Sequence, residues 1–253
     1  MSVPFIYLFR EGLQLRKSFP WIIIAVLGML LTAIWHMLSP GAQITPNDRY
    51  VNVINLLVYR TLPLASAIYT TMVVSQEVEQ KTIVYLLTRS TPRSQLLLGR
   101  WLATVASVVT VAALGMGLCI AGAGGVTIPL WRDILAIFLG AVAYGSLFLM
   151  VTMVFNRALM ICVLFAFGWE STVPNLPTGI QQLSILSHMQ AVASHPDTIG
   201  GKKFLEAIAG IAGQNDLSPL SSGIKLAVFS VAMVALAVYW FNTHEFIPRE
   251  DAE

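Results

Sequence analysis

The residues of this chain with chemistry to offer are few. A serine nucleophile needs a general base within hydrogen-bond reach, and Ser146 follows Gly145 inside a long apolar run. The four histidines, His36, His188, His195 and His244, fall at or beyond the borders of such runs. Ser146 therefore reads as a small residue that lets helices approach closely, with an intramembrane hydrolase as the competing reading. Cys119 and Cys162 also sit in apolar runs and suggest neither a disulfide framework nor a thiolate metal site. His36-Met37 and His188-Met189 place imidazole beside thioether, ligands that suit copper, but two isolated pairs read as packing residues and no metal site is expected. No Gly-x-x-x-x-Gly-Lys-(Ser/Thr) phosphate loop is present, and Gly200-Gly201-Lys202-Lys203 is only a basic turn. ATP-driven work would need another polypeptide. Two charges remain, Arg60 within Asn55–Thr61 and Glu170 directly after Trp169. Charges at such places face protein or water rather than lipid. Arg60 either snorkels to the outer headgroups or meets a carboxylate or a cargo, with Glu170 as the candidate partner.

Apolar helices must position these groups. Of 253 residues 56% are hydrophobic and 11% charged, with a mean hydropathy of +0.73, against about 25% charged in an average soluble domain. The formal net charge of +2 leaves no nucleic-acid footprint. The expected fold is an all-α polytopic membrane protein, one domain over 1–253 with six transmembrane helices. The spans are placed at Trp21–Leu38, about 53–74, about 96–121, about 134–155, about 159–169 and about 224–241, the fifth short for a crossing that needs about 20 residues. Residues 1–20 mix Phe5, Leu8 and Phe9 with Arg10, Arg16 and Lys17. That order is wrong for a cleavable signal and suits an amphipathic helix lying in the interface.

Orientation follows from Lys and Arg in the short connections. With the N-terminus in the cytoplasm, the inner segments hold Arg10, Arg16, Lys17, Lys81, Arg89, Arg93, Arg100, Arg157 and Arg249, and the short outer loops hold only Arg49 and Arg132. Both termini are expected in the cytoplasm.

The inner segment 75–95 carries the most information. Glu77 and Glu79 come first, then Ile83, Val84, Leu86 and Leu87, and Arg89 and Arg93 close it. Early acids and late bases complement a helix macrodipole. The helix is too short to stand alone, so its apolar face needs a membrane surface or a partner.

This run resembles the segment between spans two and three of type-2 ABC transporter permeases. There Glu-x-Glu-x-Gly-Thr leads to Leu-Leu-(Ser/Thr)-Arg-Pro-x-Pro-Arg, and an apolar run with Leu-Gly-(Lys/Arg) follows. Glu77, Glu79, Thr82, Leu86, Leu87, Thr88, Arg89, Pro92, Arg93, Leu98, Gly99 and Arg100 match, while Lys81 replaces the glycine and Ser90 the first proline. The resemblance implies a coupling helix that docks into a cleft on a separate ATPase subunit. Its residues would be Glu77, Glu79, Thr82, Ile83, Leu86, Leu87, Arg89, Pro92 and Arg93. It further implies two ATPase copies carrying ATP and Mg, a second permease chain, either another copy in a homodimer or a similar permease, and export across a bacterial or archaeal inner membrane. Mechanical work on an extracytoplasmic partner is a second mode of the same machinery.

Residues 170–223 read as external or re-entrant. Pro174 and Pro177 stop a regular helix after Glu170. Ile180, Leu183, Met189 and Val192, and then Phe204, Leu205, Ile208 and Ile211, suggest two short amphipathic pieces capping the pathway. Ala113-x-x-x-Gly117-x-x-x-Ala121 and Ala141-x-x-x-Gly145 place small residues on single helix faces, for internal packing or for a subunit interface.

Overall fold

A computed structural model describes residues 15–38, 45–79, 93–155, 157–175, 178–194 and 217–243, and these are helical without strands. Helix α1 runs Leu15–Leu38. Helix α2, Pro46–Val53, continues through a π-helical stretch, Ile54–Val58, into α3, Tyr59–Glu79. Helices α4, Arg93–Ala123, and α5, Trp131–Val154, follow. Helix α6, Ala158–Leu164, widens into a second π stretch, Phe165–Trp169, and ends in single turns at Glu170–Thr172 and Val173–Asn175. Short α7, Thr178–Gln181, leads to α8, Ile185–Ala193, and α9 spans Pro219–Thr243.

Among the described residues four helices are long and apolar enough to cross a membrane: Pro46–Met72, Leu97–Ala123, Trp131–Val154 and Pro219–Thr243. Phe19–Ile34 and Ala158–Thr172 are shorter apolar helices at the positions of the first and fifth expected spans. The expected interfacial helix over 1–20 lies outside the described residues up to position 14, and the amphipathic piece at 204–211 lies wholly outside them.

The second span starts earlier than hydropathy suggests, because its start is set by capping chemistry. The Thr45 hydroxyl accepts from the Asp48 amide at 3.2 Å, and the Asp48 carboxylate accepts from the Thr45 amide at 3.1 Å. This capping box, with Pro46 at the first helical position, satisfies donors that a helix start leaves open. Asn47 exchanges two hydrogen bonds with Thr127, at 2.8 and 2.9 Å, and so ties this corner to the connection between α4 and α5. Arg49, expected in an outer loop, is instead a buried residue of α2. That connection turns on Gly124 and Gly125, both at positive φ.

Glycines set the closest helix contacts. A Cβ on Gly122 would collide with Thr32 Oγ1 and lie 2.6 Å from the Met29 carbonyl, so α1 and α4 meet there without room for a side chain. A Cβ on Gly140 would collide with Met189 Sδ, so the Met189 side chain of α8 is seated in a hollow on α5. Of the two small-residue stripes, Ala141 and Gly145 are buried within the bundle, whereas Ala113, Gly117 and Ala121 face outward from α4. The main core joins α1 to α5 and α8 around Tyr59, Leu62, Tyr144 and Phe148. A smaller cluster of Leu97, Leu149, Met153 and Ala237 closes the opposite end of the bundle, between α4, α5 and α9.

Candidate translocation site

Two buried carboxylates organise the interior. Asp133, fully buried in the first turn of α5, accepts hydrogen bonds from the Tyr50 hydroxyl at 2.9 Å and the Tyr59 hydroxyl at 2.5 Å. A carboxylate at a helix N-terminus complements the macrodipole. The two phenols reach it because of the π stretch between them. Nine positions at 100° each would put Tyr50 and Tyr59 on opposite faces of a regular helix. One wide π turn takes back about 100° and brings both toward α5.

Glu170, 2% exposed, anchors α8. It accepts from Ser184 Oγ at 2.6 Å and from the amides of Ile185 and Leu186 at 3.2 and 3.3 Å. Ser184 in turn caps the helix by accepting from the Ser187 amide at 3.2 Å. The α8 amides would otherwise be orphaned inside an apolar bundle. The Tyr144 hydroxyl lies beside this carboxylate without a hydrogen bond of normal geometry. Tyr144 is thirteen residues along α5, about 20 Å at 1.5 Å per residue. Glu170 and the start of α8 are therefore level with the middle of α5, and Met189 at Gly140 shows that α8 runs from there toward the Trp131 end.

His188 pins α8 to its neighbours. Its Nε2 is 2.9 Å from the Gln182 carbonyl, which can only accept, so Nε2 carries the proton and Nδ1 accepts from Ser222 Oγ at 3.1 Å on α9. Both ring nitrogens are engaged, and Met189 is used in packing on Gly140. Ser146 is fully buried and donates to the Ala143 carbonyl of its own helix at 2.8 Å, the bond of a packing residue. Nothing here supports the hydrolase reading.

The structure does not bring Arg60 and Glu170 together. Glu170 is committed to α8, while Arg60 is exposed on α3. Of the residues expected to couple to an ATPase, Glu77 and Glu79 fall in the last turn of α3 and Arg93 opens α4. Thr82, Ile83, Leu86, Leu87, Arg89 and Pro92 lie outside the described residues. Sequence reasoning missed Tyr50, Tyr59, Asp133 and Ser184. The only local signals for them were the Thr45-Pro46-Asn47-Asp48 cap and the acid two residues after Trp131.

Residues 10–180 match the family model described as ABC-2 family transporter protein. The chain belongs to the ABC-2 transporter family. The match runs from the residues before α1 into α7, so it takes in both carboxylates and the connection between α3 and α4. No curated protein and no solved structure matches the chain. An ABC-2 protein of this kind is a membrane-embedded permease, and membership implies association with an ABC ATPase.

Proposed function

We propose that this ABC-2 permease is the six-span membrane half of an ATP-driven exporter. The family match over 10–180 carries the reading. The shorter apolar helix Phe19–Ile34 is the first pass beside the four longer ones, and Ala158–Thr172 opens the fifth, which α8 carries on toward the Trp131 end. Both termini lie in the cytoplasm of a bacterial or archaeal cell, as the Lys and Arg asymmetry of the connections supports. Two copies of a separate ATPase hold ATP and Mg, since the chain has no phosphate loop of its own. A second copy of the permease completes the pathway as a homodimer. Segment 75–95, with Glu77, Glu79, Thr82, Ile83, Leu86, Leu87, Arg89, Pro92 and Arg93, docks on the ATPase and passes its closure to α3 and α4. The bundle then switches access, or drives an extracytoplasmic partner through the cap formed by 170–223.

The test is a double substitution. Ile83 and Leu87, spaced i and i+4, share one face of a short helix. Ile83→Asp with Leu87→Asp puts two unpaired charges into a desolvated contact, at a cost of several kcal/mol. The variant should insert normally and lose co-purification of the ATPase by at least about tenfold. Unchanged co-purification together with unchanged ATPase stimulation would sink the coupling assignment.

A further inference from the structure

We propose that the second span is jointed: α2 stays fixed to α5 while α3 turns about the π stretch Ile54–Val58, with the Tyr59–Asp133 hydrogen bond as the latch. Three features interrupt the helix between Ile54 and Pro63. The Tyr59 amide reaches back past the usual partner to the Ile54 carbonyl, the wide bond of a π turn. The Thr61 hydroxyl donates to the Leu57 carbonyl at 2.6 Å, a back-bond of the kind that bends helices. Pro63 has no N–H to give the Tyr59 carbonyl one turn earlier. Prolines and π turns are where helices kink. Asn55, 7% exposed, adds an Oδ1 that meets no donor among the described residues. An unsatisfied buried acceptor disfavours the present arrangement against one that satisfies it.

The two sides of the joint are held differently. Helix α2 is fixed by its capping box, by the bonds between Asn47 and Thr127, and by Tyr50 on Asp133. Helix α3 meets that frame through Tyr59 and runs on to Glu77 and Glu79 at its other end. When the extra residue of the π turn is taken up into regular helix, α3 turns by about 100° against α2. Tyr59 then leaves Asp133 while Tyr50 stays. A void of about 30 Å³ lies between α1, the joint and α4, lined by Leu57, Val58 and Thr61 with Gly28, Gly115 and Cys119. At about 10–15 Å³ for one water-sized body it is too small for a ligand, and water needs two or more polar partners. The Thr61 hydroxyl is spent on Leu57, and a thiol is a weak donor. Such a space suits the end of a side chain that shifts as the joint turns. An added Cβ at Gly115 would sit in ordinary contact, 3.5 Å from Val58 and 3.8 Å from Ala25, so alanine fits there and fills room beside the joint.

The joint belongs to this chain, and only its drive by an ATPase rests on the proposed function, so the two are tested apart. Hydrogen exchange is measured first on the full permease chain alone in lipid nanodiscs. Amides of 55–62 should exchange at least about tenfold faster than those of 141–148 in α5. Deleting Leu56, which is 51% exposed, removes the extra residue. Tyr50 and Tyr59 then keep their relative angle in a regular helix, about 80° over eight positions. The Leu56 deletion and Gly115→Ala should each slow exchange at the joint to the α5 level. Equal protection of the two stretches in wild type, or unaltered exchange in both variants, would overturn the joint. The drive is then read as the alkylation rate of Cys119, the chain's one thiol once Cys162→Ala is made, with the co-expressed ATPase bound. Trapping ATP with vanadate should change that rate by at least about fivefold, the scale of a coupling between sites. The Leu56 deletion should abolish this response while the ATPase still co-purifies. A response kept in the deletion would overturn the joint as the moving part. An ATPase that never binds would sink the coupling reading instead, and the exchange result would still decide the joint.

Discussion

Asp133 shows how a single acid can be kept inside an apolar bundle. Its two oxygens each receive a phenol, so neither is left facing hydrocarbon. Charge-assisted hydrogen bonds of this kind contribute about 1.5–3 kcal/mol each. Tyr59→Phe should therefore lower stability by that amount, and Asp133→Asn by at least as much, because Tyr50 and Tyr59 then compete for one good acceptor. The two changes together should cost less than their sum, since they remove the same contact. The buried thiols of Cys119 and Cys162 make unfolding readable as the onset of thiol reactivity on heating. Strict additivity in that assay would mean that the Tyr59–Asp133 contact contributes nothing.

At the scale of elements, the joint between α6 and α8 is the most consequential. A π stretch, a single turn and a short 3-10 turn bring the chain to a halt about halfway along α5, and one carboxylate then caps α8. Glu170→Ala would leave the Ser184 hydroxyl and the amides of Ile185 and Leu186 without this acceptor. Each buried orphan costs about 1–3 kcal/mol, so the start of α8 should open. Hydrogen exchange at Ile185 and Leu186 should rise by about tenfold or more, while Glu170→Gln, which keeps an acceptor oxygen, should show a smaller rise. Exchange rates equal to wild type in Glu170→Ala would show that α8 is held by Met189 and His188 instead.

For the whole molecule the decisive question is sidedness. The connection between α3 and α4 belongs to the cytoplasmic side and the connection between α8 and α9 to the opposite side, if the charge asymmetry is read as orientation. A cysteine in place of Arg89 should react only with a cytoplasmic membrane-impermeant thiol reagent, and one in place of Asp197 only with the same reagent applied outside. Labelling of both from one side would break the six-span arrangement. The outward stripe Ala113, Gly117 and Ala121 belongs to this scale too, since all three are exposed and a Cβ on Gly117 would meet nothing within 4 Å among the described residues.

The sequence by itself determined the class of molecule, because solvent preference is a sum over residues and needs no geometry. It also determined where chains turn, since Gly124-Gly125 and Pro174 act through their own backbone. What only the tertiary structure decided is which way each helix faces. In a soluble helix the apolar stripe marks the core, but here lipid and core are equally apolar and the stripe disappears. Hence Ala141 and Gly145 turned inward and Ala113, Gly117 and Ala121 outward, with nothing in their spacing to tell them apart. The same holds for partners far apart in the chain. Tyr50 and Tyr59 stand 83 and 74 residues from Asp133, and Glu170 was paired on paper with Arg60 because both were charges in want of a partner. Packing gave Glu170 the amides of α8, which every helix start exposes and no residue type advertises.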